Sequence, residues 1–210
     1  MTTIVWDGKT LSVDSRVTYL QDGKQIAQAD DADKLVFSEK IMFQGEPAQV
    51  VAISGDMRAN EILRLCANHP EIAPFDLANT DSYVGDGVFR DAGDFAFTII
   101  TPTHGGFVTM VGGQVVVRRQ ARHEFIAAGS RFKQAAAHAI LGFKSDQIVG
   151  MAMLTDKMTG GEIRTWDPVT GLVKSRSWGG WWANYRNCLK ALPAALYYIV
   201  KTLIVKALKK

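Results

Sequence analysis

Two short β-rich runs, Thr3–Trp6 and residues 10–13, flank Asp7-Gly8 in TTIVWDGKTLSVDSR. An Asp-Gly step supplies the backbone angles that a tight hairpin turn demands, so the spacing predicts a chain that starts as an antiparallel pair. After a polar stretch over 19–33, apolar runs follow at 34–37 and 49–54. The second, QVVAIS, is apolar without alternation, as suits a strand buried on both faces. Gly55-Asp56 ends it, and Asp56 can cap a helix over 57–67, where Ile62, Leu63 and Leu65 have helical spacing. Residues 68–93 are rich in Asn, Asp, Pro and Gly and read as irregular surface structure. Three strands are then predicted at Phe95–Ile100, 106–111 and 114–118, punctuated by Thr-His-Gly-Gly and Gly-Gly turns. A helix beginning at Ser130 and running to about 141 and another over 145–158 follow, then Gly160-Gly161 and a final strand, EIRTW. This order predicts an α+β fold with helices on the outer faces of sheets, not a doubly wound parallel sheet.

A chain of 210 residues can bury a proper core without disulfides or structural metal. Its 47% hydrophobic and 21% charged residues match a folded globular body. Cys66 and Cys188 stand alone without CxxC spacing, which speaks against a disulfide framework and a zinc site and for a reducing cytoplasm. The N-terminal run lacks a basic segment followed by an apolar one, so no export signal is expected. His69, His104, His123 and His138 show no metal spacing, and there is no nucleotide loop or paired-carboxylate motif. No cofactor, metal or nucleic-acid partner is expected.

Met1 precedes Thr2, and threonine is small enough for the initiator methionine to be removed ahead of it. An N-terminal threonine carries its own base: the α-amine, with an ordinary pKa of about 7.7–8, lies within reach of the hydroxyl. TTIVWDGKTLSVDSR resembles the start of the proteasome β-subunit superfamily, above all the bacterial heat-shock peptidase and the proteasome-like proteins of bacteria and phages. Asp14 and Arg16 fall where that family keeps an aspartate and an arginine. FIAAGSRFKQAAAHAILG resembles its Gly-Ser step into a helix, with Ser130 as the serine. AMLTDKMTGGEI resembles its Asp-x-x-Ser-Gly-Gly segment, with Asp156 and, in place of serine, Thr159. VVAISGD resembles its strand-to-helix corner, where the Gly55 N–H would face a developing oxyanion. These matches come in the family's order and cover most of residues 2–165.

The resemblance implies a four-layer αββα sandwich of N-terminal-nucleophile hydrolases, spanning residues 1–167. It implies a threonine endopeptidase with Thr2 as nucleophile, Asp14 and a lysine supporting the hydroxyl, and Ser130, Asp156 and Thr159 orienting the amine. Lys34, opening a strand after an acidic turn, suits the lysine; Lys40, in SEKIMF, is the alternative. Either lengthens the interval from Asp14 beyond the family's usual spacing, through an insertion around residues 21–31. Peptides or unfolded proteins are the implied substrates, inside a six- or seven-fold single or double homo-oligomeric ring, with an ATP-dependent unfoldase as a further partner. The other reading keeps the fold as an inactive ring or scaffold.

Residues 168–210 depart from the family as a basic, Trp-rich extension. After Asp167 there is no acidic residue, while eight Lys and Arg follow, leaving the first 167 residues with 16 Lys and Arg against 21 Asp and Glu, a net of −5. Beyond Trp178, Trp181 and Trp182, an amphipathic helix is predicted. At ~100° per residue, Leu189, Leu192, Leu196, Ile199, Val200, Leu203 and Ala207 share one face, and Arg186, Lys190 and Lys201 the other. Lys190 and Lys201 interrupt the roughly 20 apolar residues that a membrane span needs. Pro193 marks a kink or a helix start. The helix suits either an anionic membrane surface or packing on the acidic body or a neighbouring subunit.

Overall fold

A computed structural model describes residues 2–21, 24–69, 71, 74–156 and 158–177. The N-terminal hairpin is present as β1 (Thr3–Trp6) and β2 (Leu11–Asp14), with Val5 opposite Ser12. Asp7 holds its turn, its Oδ1 accepting the Lys9 and Thr10 N–H groups at 2.9 and 2.8 Å, while Gly8 takes φ 86°. The polar stretch that follows folds into a second hairpin, β3 (Val17–Gln21) with β4 (Lys24–Ala29). Short strands β5 (Leu35–Val36), β6 (Ile41–Phe43) and β7 (Glu46–Pro47) lead into β8 (Val50–Gly55).

Asp56 caps α1 (Met57–Asn68), accepting the Arg58 N–H, and the helix buries Ala59, Leu63 and Cys66 at its helical period. Leu65 is on the solvent side. The stretch read as irregular holds β9 (Phe75–Asp76), a 3-10 turn at Leu77–Asn79 and α2 (Thr80–Gly85). Then come β10 (Phe95–Ile100), β11 (His104–Val111), β12 (Gln114–Ala121) and β13 (Ile126–Gly129). The last elements described are α3 (Phe132–Ile140), α4 (Ser145–Thr155), β14 (Glu162–Trp166) and β15 (Val173–Ser177).

The fold is α+β, with sheets that are antiparallel except where β6 meets β9. One five-stranded sheet runs β13-β1-β2-β14-β15 and another β12-β11-β10-β8-β5. Strand alternation sorts their side chains into distinct cores. Ile4, Trp6, Leu11 and Val13 of the first sheet pack with Leu35, Val50, Ala52 and Ile100 of the second. Val5 and Ile163, pointing the opposite way, pack with Ala135, Ile148 and Val149 of α3 and α4. Val51, Ile53, Phe97 and Ile99 pack with Ala59 and Leu63 of α1.

Two helix ends differ from the sequence reading, and each releases a side chain for the site. Ser130 lies ahead of α3 instead of starting it, and its hydroxyl bonds to Asp156. α4 stops at Thr155 because Asp156 Oδ1 accepts the Met158 N–H at 3.0 Å, a local bond that competes with the helical ladder. Past Trp166 the chain turns back, and Val173–Ser177 pair with β14 as an edge strand. The amphipathic helix read at the C-terminus lies outside the described residues. Among the described residues, no helix is long and apolar enough to cross a membrane.

Candidate active site

The first sheet brings Thr2 and Asp14 to one end of the N-terminal hairpin. Thr3 pairs with Gly129 across β1 and β13, and Ser130 N–H donates to the Thr2 carbonyl at 3.1 Å. Gly129 has φ 99°, and a Cβ there would run into that carbonyl, so only glycine lets the two strands close over Thr2. Asp14 ends β2 with no solvent exposure. Its Oδ1 accepts the Thr3 N–H at 2.8 Å, and its Oδ2 accepts those of Arg16 at 3.2 Å and Gly160 at 3.1 Å. The carboxylate is thus held by three backbone donors before any lysine is counted.

Lys34 arrives from the second sheet, just ahead of β5. Its side chain is 1% exposed, with Nζ 2.7 Å from Thr2 Oγ1 and 3.4 Å from Asp14 Oδ2, and it also donates to the Arg16 carbonyl. Burial pulls the Lys34 ammonium below its ordinary range, opposed chiefly by the Asp14 charge. Burial likewise pushes the Asp14 carboxyl up, opposed by Lys34 and by the Thr3 and Gly160 donors. An ammonium with a lowered pKa beside a hydroxyl can both stabilise a developing alkoxide and exchange a proton with it. Lys40, the other lysine considered, is elsewhere, its Nζ donating to the His69 carbonyl at 2.6 Å.

A second polar chain runs behind the threonines. Asp156 Oδ2 accepts the hydroxyls of Ser130 and, at 3.0 Å, Thr159. Since Thr159 spends its proton on Asp156, its oxygen accepts the Thr3 hydroxyl 2.9 Å away. Burial would raise the Asp156 carboxyl, but the Ser130 hydroxyl, the Met158 N–H and the Thr159 hydroxyl together hold it below its ordinary value. Thr3 and Arg131, whose Nε lies 3.8 Å from Asp156 Oδ2, escaped the sequence reading. The doubled Thr2-Thr3 was the available signal for the first; Arg131, adjacent to Ser130, carried none beyond its position.

A cleft of about 300 Å³ opens beside Thr2, lined by Ser54, Gly55, Phe95, Val111, Gly129 and Ser130 among others. Gly55 therefore shares a wall with the candidate nucleophile. Its φ of 94° and the approach of the Asp94 carbonyl to its would-be Cβ again demand glycine. Thr2, Asp14 and Lys34 form one connected group, and Ser130, Asp156 and Thr159 another, joined through Thr3 and the backbone of β1.

Among the described residues, no cluster of three His, Cys, Asp or Glu side chains is arranged to hold a metal ion. His138 sits edge-on to Phe143 at 5.9 Å between ring centres, and burial lowers its pKa. No protein-family model matches the chain, and no curated protein matches it in sequence.

Proposed function

We propose that this protein is a threonine peptidase of the N-terminal-nucleophile kind, with Thr2 as nucleophile once Met1 is removed. The observation that carries the reading is the buried Lys34 ammonium 2.7 Å from Thr2 Oγ1, with Asp14 behind it. The proposed architecture is the four-layer αββα sandwich, supported by core clusters that join α3 and α4 to one sheet, the two sheets to each other, and the second sheet to α1.

In the proposed reaction, Thr2 Oγ1 bonds to the scissile carbonyl carbon as its proton passes to the Thr2 α-amine. Lys34 stabilises the departing charge on Oγ1, and the Gly55 N–H faces the oxyanion. Collapse breaks the carbon–nitrogen bond, and the amine's proton goes to the leaving nitrogen, giving an ester on Thr2. Water, deprotonated by the same amine, then cleaves the ester and restores the hydroxyl. Ser130, Asp156 and Thr159 orient the amine. Peptides or unfolded proteins are the proposed substrates, in a homo-oligomeric ring served by an ATP-dependent unfoldase in the cytoplasm, without a cofactor.

Intact mass of the natively expressed protein, read beside hydrolysis of unstructured peptides, tests this directly. Loss of Met1 is expected, with hydrolysis abolished in Thr2→Ala. A chain that retains Met1 in all preparations defeats the mechanism, since its base would then be an amide.

A further inference from the structure

Lys34 belongs to one sheet and its partners to the other, so the distance from Nζ to Thr2 depends on how the two sheets are held together at this edge. Ile53 N–H donates to the Lys34 carbonyl at 3.1 Å, tying the lysine's backbone to β8. One residue earlier, the Asp33 carboxylate meets a guanidinium from each side. Its Oδ2 lies 2.9 Å from Arg64 Nη2 on α1, and its Oδ1 lies 3.1 Å from Arg164 Nη1 on β14. Arg64 Nη2 also donates to the carbonyls of Asp33 at 3.1 Å and Leu35 at 2.9 Å, the residues on either side of Lys34. Asn60 Nδ2 donates to the Asp33 carbonyl at 3.1 Å while its Oδ1 accepts from Arg64 Nε at 3.1 Å. Arg164 Nη2 reaches the Asp31 carbonyl at 3.3 Å.

We propose that Asp33, gripped between Arg64 of α1 and Arg164 of β14, is the positioning clamp of the site: it bridges the two sheets and fixes the backbone from which Lys34 reaches Thr2. None of the three touches the reacting atoms. Their effect on rate rests on the peptidase reading, whereas their effect on Lys34 rests on geometry alone. With the Asp33 side chain 53% exposed, these ion pairs contribute little to global stability. Their consequence is local, because a displacement of the lysine is felt at the groups its ammonium touches, Thr2, Asp14 and the Arg16 carbonyl.

The test combines NMR titration of the Lys34 ammonium in the full chain with steady-state peptide hydrolysis, in Asp33→Asn, Arg164→Met and Arg164→Lys. In the first two variants the Lys34 titration is expected to move up toward the ordinary lysine value, as the ammonium gains water. With it, kcat is expected to fall about tenfold while KM stays within about twofold. Arg164→Lys recovers part of both effects, and Lys40→Met, at a half-buried lysine of the same segment that bonds to the His69 carbonyl, moves neither. An unmoved Lys34 titration overturns the clamp whatever happens to the rate. A moved titration with unchanged kcat overturns its positioning role. Failure of the peptidase reading shows separately, as wild-type protein that gives no Thr2-dependent product, and the titration alone then decides the clamp.

Discussion

Lys34 and Asp14 are each costly to bury alone, and each is tolerable because the other is there. Removing the ammonium leaves a carboxylate with no solvent exposure facing three N–H donors and without its ion-pair partner 3.4 Å away. Lys34→Ala is therefore expected to destabilise the fold by roughly 3–5 kcal/mol in denaturant melts and to abolish Thr2-dependent hydrolysis. Asp156 makes a pH-dependent contribution of opposite origin. Its folded carboxyl is held below the ordinary 3.8, so the stabilisation is present above that value and is lost as pH falls toward the folded one. Melting temperature followed from pH 5 downward is expected to fall less steeply in Asp156→Asn than in the wild type. Asp14, Ser130, Asp156 and Thr159 were legible because short local motifs carry them. Thr3 and Asp33 were not, since the partners that define their roles are brought near only by the closure of separate strands and helices.

At the level of elements, the N-terminal hairpin, α1, α3, α4 and the strands β8, β10, β11, β12 and β14 followed from turn chemistry and periodicity, whereas the β3–β4 hairpin and α2 lay in stretches that read only as polar or irregular. β6, β7 and β9 did not follow either, because two or three residues are too few to show a period, and their pairing comes from neighbours. β13, IAAG, has little β-propensity and exists by pairing with β1. Its end matters most, since Gly129 closes the sheet over Thr2. Gly129→Ala puts a Cβ against the Thr2 carbonyl at a positive φ, and a loss of about 3 kcal/mol is expected in thermal or denaturant unfolding. Gly45→Ala, also at positive φ but facing open space, is expected to cost less, about 1 kcal/mol.

Across the whole molecule, the candidate site exists because two sheets meet: one supplies Thr2 and Asp14, the other Lys34 and the Gly55 wall. The apolar runs that build the cores on either side of that junction were readable in the sequence, while the relative placement of the sheets was not, being fixed by contacts distant in sequence. The proposed ring has its own test, since native mass spectrometry is expected to give six- or seven-fold multiples of the 23.0 kDa chain. The claim that Thr2 acts as an N-terminal nucleophile is tested most directly by treating the native protein with a threonine-directed electrophile and locating the adduct by tandem mass spectrometry. The expected result is a covalent adduct on chains that begin at Thr2, absent from Thr2→Ala. An adduct formed equally in Thr2→Ala, or none on chains that have lost Met1, would contradict it.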